Sequence, residues 1–163
     1  MNTYKVGIIG ATGMVGQRFI ALLAEHPWFK ITALAASPKS AGKSYEHAVS
    51  GRWVMSTPIL EEVKNMPVFD ASADAEKVAA VVDFVFCAIN LDKMSTRALE
   101  EKYAVLECPV ISCNSACRGI SDVPMIIPEV NPEHAEVIAA QRKRLGTKRG
   151  FIAVKSNCSI QSY

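Results

Sequence analysis

No run of apolar residues in this sequence is long enough to cross a bilayer. The longest, 78–89, is interrupted by Asp83 and is too short for a hydrocarbon layer of roughly 30 Å, so it reads as a buried strand. The start lacks the positive segment, long apolar run and small-residue cleavage site of a secretion signal, and the expected compartment is the cytosol. An excess of one charge is missing too. With 18 basic and 16 acidic side chains the net charge is +2, which excludes a strong global field toward nucleic acid or membrane. Nor do the cysteines come in pairs: there are five, and a reducing cytosol would keep them as separate thiols rather than as a disulfide framework.

What is present is enough apolar sequence, half of 163 residues, to bury one continuous core, and one domain is expected. The segment 4–9 is short, β-branched and apolar, and it runs straight into Gly10, Gly13 and Gly16. From 14 to 24 the residues Val15, Phe19, Leu22 and Leu23 recur at helical spacing, and Pro27 closes the segment. A second strand is predicted over 29–36, so strand, helix and strand follow one another as in a right-handed parallel crossover. The polar stretch 37–66 has no clean period and reads as loop with short strands. Beyond it the alternation resumes: strand over 83–89, helix over 91–103, strand over 109–113, helix from about 132 to 144, strand over 151–155. Asn131 is placed to cap the last helix, with Pro132 at its first position and Glu133 and Glu136 near its positive end. The predicted fold class is α/β, a doubly wound, mostly parallel sheet with helices on both faces.

The glycines carry the first chemical signal. At 10, 13 and 16, between a strand and a helix, they allow a tight turn, close approach of backbone to a pyrophosphate, and packing of helix on sheet. A turn of this kind can also be a mere connection. The end of the second strand offers no Asp or Glu for a ribose hydroxyl. It reads Ser37-Pro38-Lys39-Ser40, two hydroxyls and an ammonium that suit a 2′-phosphate, which favours NADP over NAD. The alternative is an ordinary exposed turn.

Cys158 stands apart from its companions because it follows a predicted strand. The stretch 156–163 would open a further turn or helix, and a thiol where a strand gives way to a helix N-terminus would meet unpaired N–H groups and a positive dipole end, which favour the thiolate; such donors could also hold an oxyanion. Position alone leaves an inert buried cysteine equally open.

Four motifs, in order along the chain, resemble aspartate-semialdehyde dehydrogenase, most closely its archaeal and fungal branch. They are Gly10-Ala11-Thr12-Gly13-Met14-Val15-Gly16, Ser37-Pro38-Lys39-Ser40-Ala41-Gly42-Lys43, Pro128-Glu129-Val130-Asn131 and Ser156-Asn157-Cys158-Ser159. The resemblance implies a Rossmann-like NADP-binding domain over 1–155, with 156–163 opening a catalytic and dimerisation domain otherwise absent from this chain. It implies cofactor contacts at Gly10, Thr12, Gly13, Met14, Val15, Gly16, Ser37, Lys39, Ser40 and Ala88. It makes Cys158 the nucleophile that attacks 4-phospho-L-aspartate and expels inorganic phosphate, leaving a thioester for reduction with NADPH to L-aspartate 4-semialdehyde. Arg118 and Asn157 match positions near the phosphate, where a planar guanidinium can bind two oxygens; the lesser alternative for Arg118 is a plain surface charge. The product feeds lysine, threonine, methionine and, in many bacteria, diaminopimelate. The full-length enzyme would be a homodimer or homotetramer, and these 163 residues alone are expected to be inactive.

The remaining features carry less. Cys108, Cys113 and Cys117 lack the spacing of a zinc site, Cys87 reads as a core residue, and His26, His47 and His134 show no ligand spacing, so no metal is expected. Arg142, Lys143, Arg144, Lys148 and Arg149 lie at a predicted helix C-terminus without interleaved aromatics and read as a solvated face rather than a nucleic-acid site. Two other readings stand beside the main one. The first is a related reductase. The serine after Cys158 argues against N-acetyl-glutamyl-phosphate reductase, which has tyrosine and proline there, but not against a malonyl-CoA-type enzyme. The second is a non-catalytic NADP-binding module that senses redox state.

Overall fold

The structure, a computed structural model, describes residues 3–160. Among them seven strands form one parallel sheet: β1 (Tyr4–Ile9), β2 (Phe29–Ala36), β3 (Val68–Asp70), β4 (Phe84–Cys87), β5 (Val110–Ser112), β6 (Met125–Ile126) and β7 (Ile152–Lys155). Their spatial order is β3-β2-β1-β4-β5-β7-β6, and every pairing is parallel. The chain winds outward from β1 first one way and then the other, so a crevice opens beyond the C-terminal ends of β1 and β4.

The strands alternate between two cores. Val6 and Ile8 of β1, with Leu34 and Ala36 of β2, face one side and pack with Ile20, Tyr45, Val49 and Val63. Ile9, Ala33 and Ala35 face the other and pack with Val78, Val85, Leu99, Tyr103 and Ile152. This period of two, buried on both faces, is why β1 and β2 read as near-continuous apolar runs. The first side is covered by α1 (Met14–Leu22), α2 (Tyr45–Ala48) and α3 (Glu61–Lys64), the second by α4 (Ala75–Ala79), α5 (Lys93–Val105) and, through Leu145, α6 (Ile138–Leu145). No helix among the described residues is long and apolar enough to cross a membrane.

The strands and helices predicted around 4–9, 14–24, 29–36, 91–103, 109–113 and 151–155 are all present, within two residues at their ends. Several expectations are corrected. The stretch 37–66 holds two one-turn helices, α2 and α3, rather than short strands. Its order comes from distant bonds that no local period reveals, such as Tyr45 N–H to Met66 O and Val68 N–H to Lys43 O, each 2.9 Å. The run 78–89 is not one strand. Val78 and Ala79 belong to α4, and the strand is only Phe84–Cys87, because Asp83 breaks the run and bonds Lys5 of β1 through both backbone and carboxylate. Asn131 does not cap a helix. Its amide instead bridges Ile127 N and Met125 O, at 2.8 and 3.0 Å, and the following segment starts as a 3-10 turn, Pro132–Val137, before α6. β3, α4 and β6 have two to five residues each and leave no readable pattern. The part of the predicted helix opening that falls on 161–163 lies outside the described residues.

Candidate functional site

The crevice is a cleft of about 580 Å³ lined by the glycine turn, the ends of β2, β3 and β4, and one face of α5, a volume within the range of cofactor sites. The three glycines have different reasons to be there. Gly10 sits at φ +86°, where an L side chain is strained, and a Cβ on it would meet the Ala88 carbonyl at 2.6 Å. A Cβ on Gly16 would run into the Gly10 carbonyl and the backbone of Ala11. Gly13 is different: its backbone is ordinary, and an added Cβ would touch only the Gly10 carbonyl, at 3.4 Å. Packing does not require this glycine, and its bare Cα lines the open cleft.

Gly13 also begins α1, with no side-chain cap and no acid in the first turn, so the first N–H groups of that helix have neither an intrahelical partner nor a negative side chain beside them. The turn is braced from below by groups that sequence reasoning missed. The buried Tyr45 hydroxyl donates to Ala11 O at 2.9 Å. Buried Gln17 donates to the carbonyls of Thr12 and Arg52, at 3.1 and 2.9 Å, and accepts from Val54 N at 2.9 Å. A polar residue between buried Gly16 and Ile20 on a core-facing helix was the signal available for Gln17.

Thr12, Ser37 and Ala88 line the cleft beside Gly10 and Gly13. Met14 and Val15 are exposed at the helix start. Lys39 is exposed next to the cleft rather than in its lining, and Ser40 is buried in the turn, its N–H bonded to Ser37 O. Of the 37–40 cluster, therefore, Ser37 lines the cleft and Lys39 is exposed beside it, while Ser40 is buried and outside the lining. An acid does border the cleft, Asp70 at the end of β3, but its Oδ1 accepts from Ser72 and Ala73 N–H at 2.8 and 2.7 Å.

Cys158 lies beyond the end of β7. It is exposed, whereas Cys87, Cys108 and Cys117 are buried and Cys113 is half-buried. Burial pushes the thiols of Cys108 and Cys117 up to about 12. At Cys117 the buried carboxylate of Glu100 adds to the effect through its charge and a hydrogen bond. Of the turn or helix expected over 156–163, Cys158 and Ser159 form a turn that leads into a 3-10 segment at Ile160, and the rest lies outside the described residues. The Ser159 N–H is bonded to Asn157 Oδ1 at 3.0 Å. The same oxygen accepts from Ser159 Oγ at 2.9 Å and from the Cys158 thiol at 3.6 Å. Arg118 is brought to this turn: Nε donates to Lys155 O at 3.2 Å, and Nη2 to Ser156 O and Cys113 O at 3.3 and 3.5 Å. It is no free surface charge. It ties the end of β5 to the end of β7, immediately before the cysteine.

The family "Semialdehyde dehydrogenase, NAD binding domain" matches residues 5–138. Curated relatives include an aspartate-semialdehyde dehydrogenase of Archaeoglobus fulgidus, 45% identical over 96% of this chain and 43% of its own length. Another, from Aspergillus fumigatus, is 41% identical over 96% of this chain and 41% of its own. Among solved structures, the Candida albicans aspartate semialdehyde dehydrogenase with NADP superposes with a TM-score of 0.82 at 38% identity, covering 97% of this chain and 44% of that one. The chain thus spans about two fifths of the length of the relatives it matches.

Proposed function

The chain belongs to the semialdehyde dehydrogenase family through its NAD-binding domain, and from that premise we propose that it is the cofactor-holding, nucleophile-bearing part of an NADP-dependent aspartate-semialdehyde dehydrogenase. Residues 1–155 form the cofactor domain, and 156–163 open the catalytic one. The observation that carries the reading is a single arrangement: an uncapped helix behind bare Gly13 at one sheet end, and the exposed Cys158 leaving β7 at the same end. The cofactor named for the Candida albicans relative supports NADP.

Bound at the cleft, a nicotinamide cofactor would supply hydride. The pyrophosphate would rest against Gly13 and the first N–H groups of α1, with Thr12 and Ala88 beside it, and the 2′-phosphate would meet Ser37 and Lys39. Cys158 Sγ attacks the acyl carbon of 4-phospho-L-aspartate. The carbon–oxygen bond to the phosphoryl group breaks, inorganic phosphate leaves, and a thioester is formed. Its reduction breaks the carbon–sulfur bond, releases L-aspartate 4-semialdehyde and returns the thiolate. The Cys158 thiol donates to Asn157 Oδ1, and that contact gives way when the sulfur turns to the acyl carbon. A cytoplasmic biosynthetic enzyme assembled as a dimer or tetramer is the corresponding biological setting.

Titration with NADPH and NADH, followed by nicotinamide fluorescence, tests the cofactor half: NADPH should bind more tightly, and equal affinity would remove the role given to Ser37 and Lys39. For the thioester half, the acyl-enzyme should be trapped on the Cys158 peptide by mass spectrometry after incubation with an acyl phosphate. A label found only on other cysteines would sink it.

A further inference from the structure

Glu100 lies in the middle of α5 with only 1% of its surface exposed. None of the ion pairs among the described residues includes it. A carboxylate taken out of water without a cation is costly unless donors surround it. Here the donors come from a strand end and the loop behind it. Glu100 Oε1 accepts from the hydroxyl of Ser112, the last residue of β5, and from Asn114 Nδ2 at 2.9 Å. The Asn114 N–H in turn donates to Ser112 Oγ at 3.0 Å, and its Nδ2 also approaches Cys87 Sγ, at the end of β4, at 3.4 Å. Burial pushes the Cys117 thiol up, and the charge and hydrogen bonding of Glu100 add to that, so the far end of the same loop also faces this acid. One side chain on α5 thus gathers the ends of β4 and β5 and the loop 113–117.

That loop leads directly to Arg118, whose bonds to the carbonyls of Cys113, Lys155 and Ser156 join it to the end of β7. Leu99, Tyr103 and Ala104 are already buried along α5. Apolar side chains of similar volume commonly replace a buried polar set without loss of stability, so packing of α5 on the sheet does not call for an acid here. What the acid adds is direction. Its oxygen selects one arrangement of the turn out of β5, and without an acceptor the Ser112 hydroxyl and the Asn114 amide have no buried partner to fix it.

We propose that Glu100 is a positioning residue: through Ser112 and Asn114 it fixes the loop 113–118, and through the Arg118 bonds it sets the place at which Cys158 leaves β7. That Cys158 attacks an acyl phosphate rests on the function proposed above; the positioning itself rests on the hydrogen bonds of Glu100 and Arg118.

The test compares Glu100→Leu and Asn114→Ala with the parent chain and with Glu100→Gln, which retains an acceptor oxygen. Three quantities are measured: amide shifts at 155–158, the urea midpoint, and the rate of acylation of Cys158 by acetyl phosphate relative to its alkylation by iodoacetamide, both mapped by mass spectrometry. Glu100→Leu should move the amides at 155–158 and lower the acylation-to-alkylation ratio about tenfold or more. Asn114→Ala should do the same to a smaller extent and carries the comparison should Glu100→Leu fail to fold. Glu100→Gln should stay close to the parent in both. Unmoved amides at 155–158, or an unchanged ratio where the parent chain is acylated, would overturn the proposal even if the urea midpoint fell, because the acid would then be structural only. A loss in Glu100→Gln equal to that in Glu100→Leu would overturn it too, since the acceptor oxygen would not be the cause. Absence of acylation in the parent chain strikes the proposed nucleophile instead, and the amide shifts alone then decide the positioning.

Discussion

Cys158 is the one exposed thiol of five, and desolvation holds the pKa values of Cys108 and Cys117 near 12. At pH 8, iodoacetamide should therefore modify Cys158 first and leave those two intact in the folded protein, as peptide mapping would record; early labelling of Cys108 or Cys117 would contradict the burial described. The glycines separate folding from binding in the same way. Gly16→Ala forces a Cβ into backbone and should cost about 3 kcal/mol or more in urea unfolding. Gly13→Ala should cost only about 0.5 kcal/mol at this cap position, yet weaken NADPH about tenfold or more by filling the space a pyrophosphate would use. Equal stability losses in the two variants would refute the distinction. At this scale the sequence showed Gly10, Gly13, Gly16, Ser37 and Cys158 directly, because each is an unusual residue at a turn. Gln17 and Tyr45 went unseen, because their roles depend on carbonyls that the fold brings near: Thr12 and Arg52 for Gln17, Ala11 for Tyr45.

Of the elements that could be read, β1, α1, β2 and α5 are long enough for a period to repeat, while β5 and β7 stand out as short apolar runs. The ones that could not be read are held from outside. β7, though legible, also depends on distant side chains, since it is held from two directions. Buried Gln141 on α6 accepts from Ile152 N at 2.6 Å and donates to Ile152 O and Asp122 O at 2.9 and 2.8 Å. Gln141→Leu would strand all three backbone groups and should cost about 3 kcal/mol in denaturant unfolding. Glu107, at φ +60°, closes a clasp from α5's end onto the approach to β7, its carboxylate accepting from the N–H groups of Lys148, Arg149 and Gly150. Those bonds, led by Lys148 and Gly150, hold its pKa at about 2, against 4.5 for an unperturbed glutamate. Because the folded pKa is the lower one, its stabilisation is complete above pH 4.5 and is lost as the pH falls from there toward 2. Glu107→Gln should therefore lower the melting temperature at pH 7 and flatten its dependence between pH 5 and 3; an identical pH profile in both proteins would rule the clasp out as a source of acid sensitivity.

For the molecule as a whole, the doubly wound parallel order follows from the alternation of strand and helix, which local patterning reveals, together with the handedness of the crossovers. What joins its parts is less visible in sequence, since the cleft is walled by β3 and α5 as well as by the glycine turn. Ligand linkage makes this measurable. At a hundredfold excess over its dissociation constant, NADPH should stabilise the fold by about 2.7 kcal/mol and raise the melting temperature by about 5–10 °C. NADH at the same concentration should do less, and no shift with either would count against the cleft as a cofactor site. The brace under the glycine turn extends this further. Gln17 holds Thr12 with one donor and Arg52 with another, so a ligand that immobilises the turn also immobilises the stretch after α2. Arg52 is a tryptic cleavage site, and the rate at which a protease cuts behind it should fall as the cleft fills, which turns a remote peptide bond into an occupancy gauge for the cofactor.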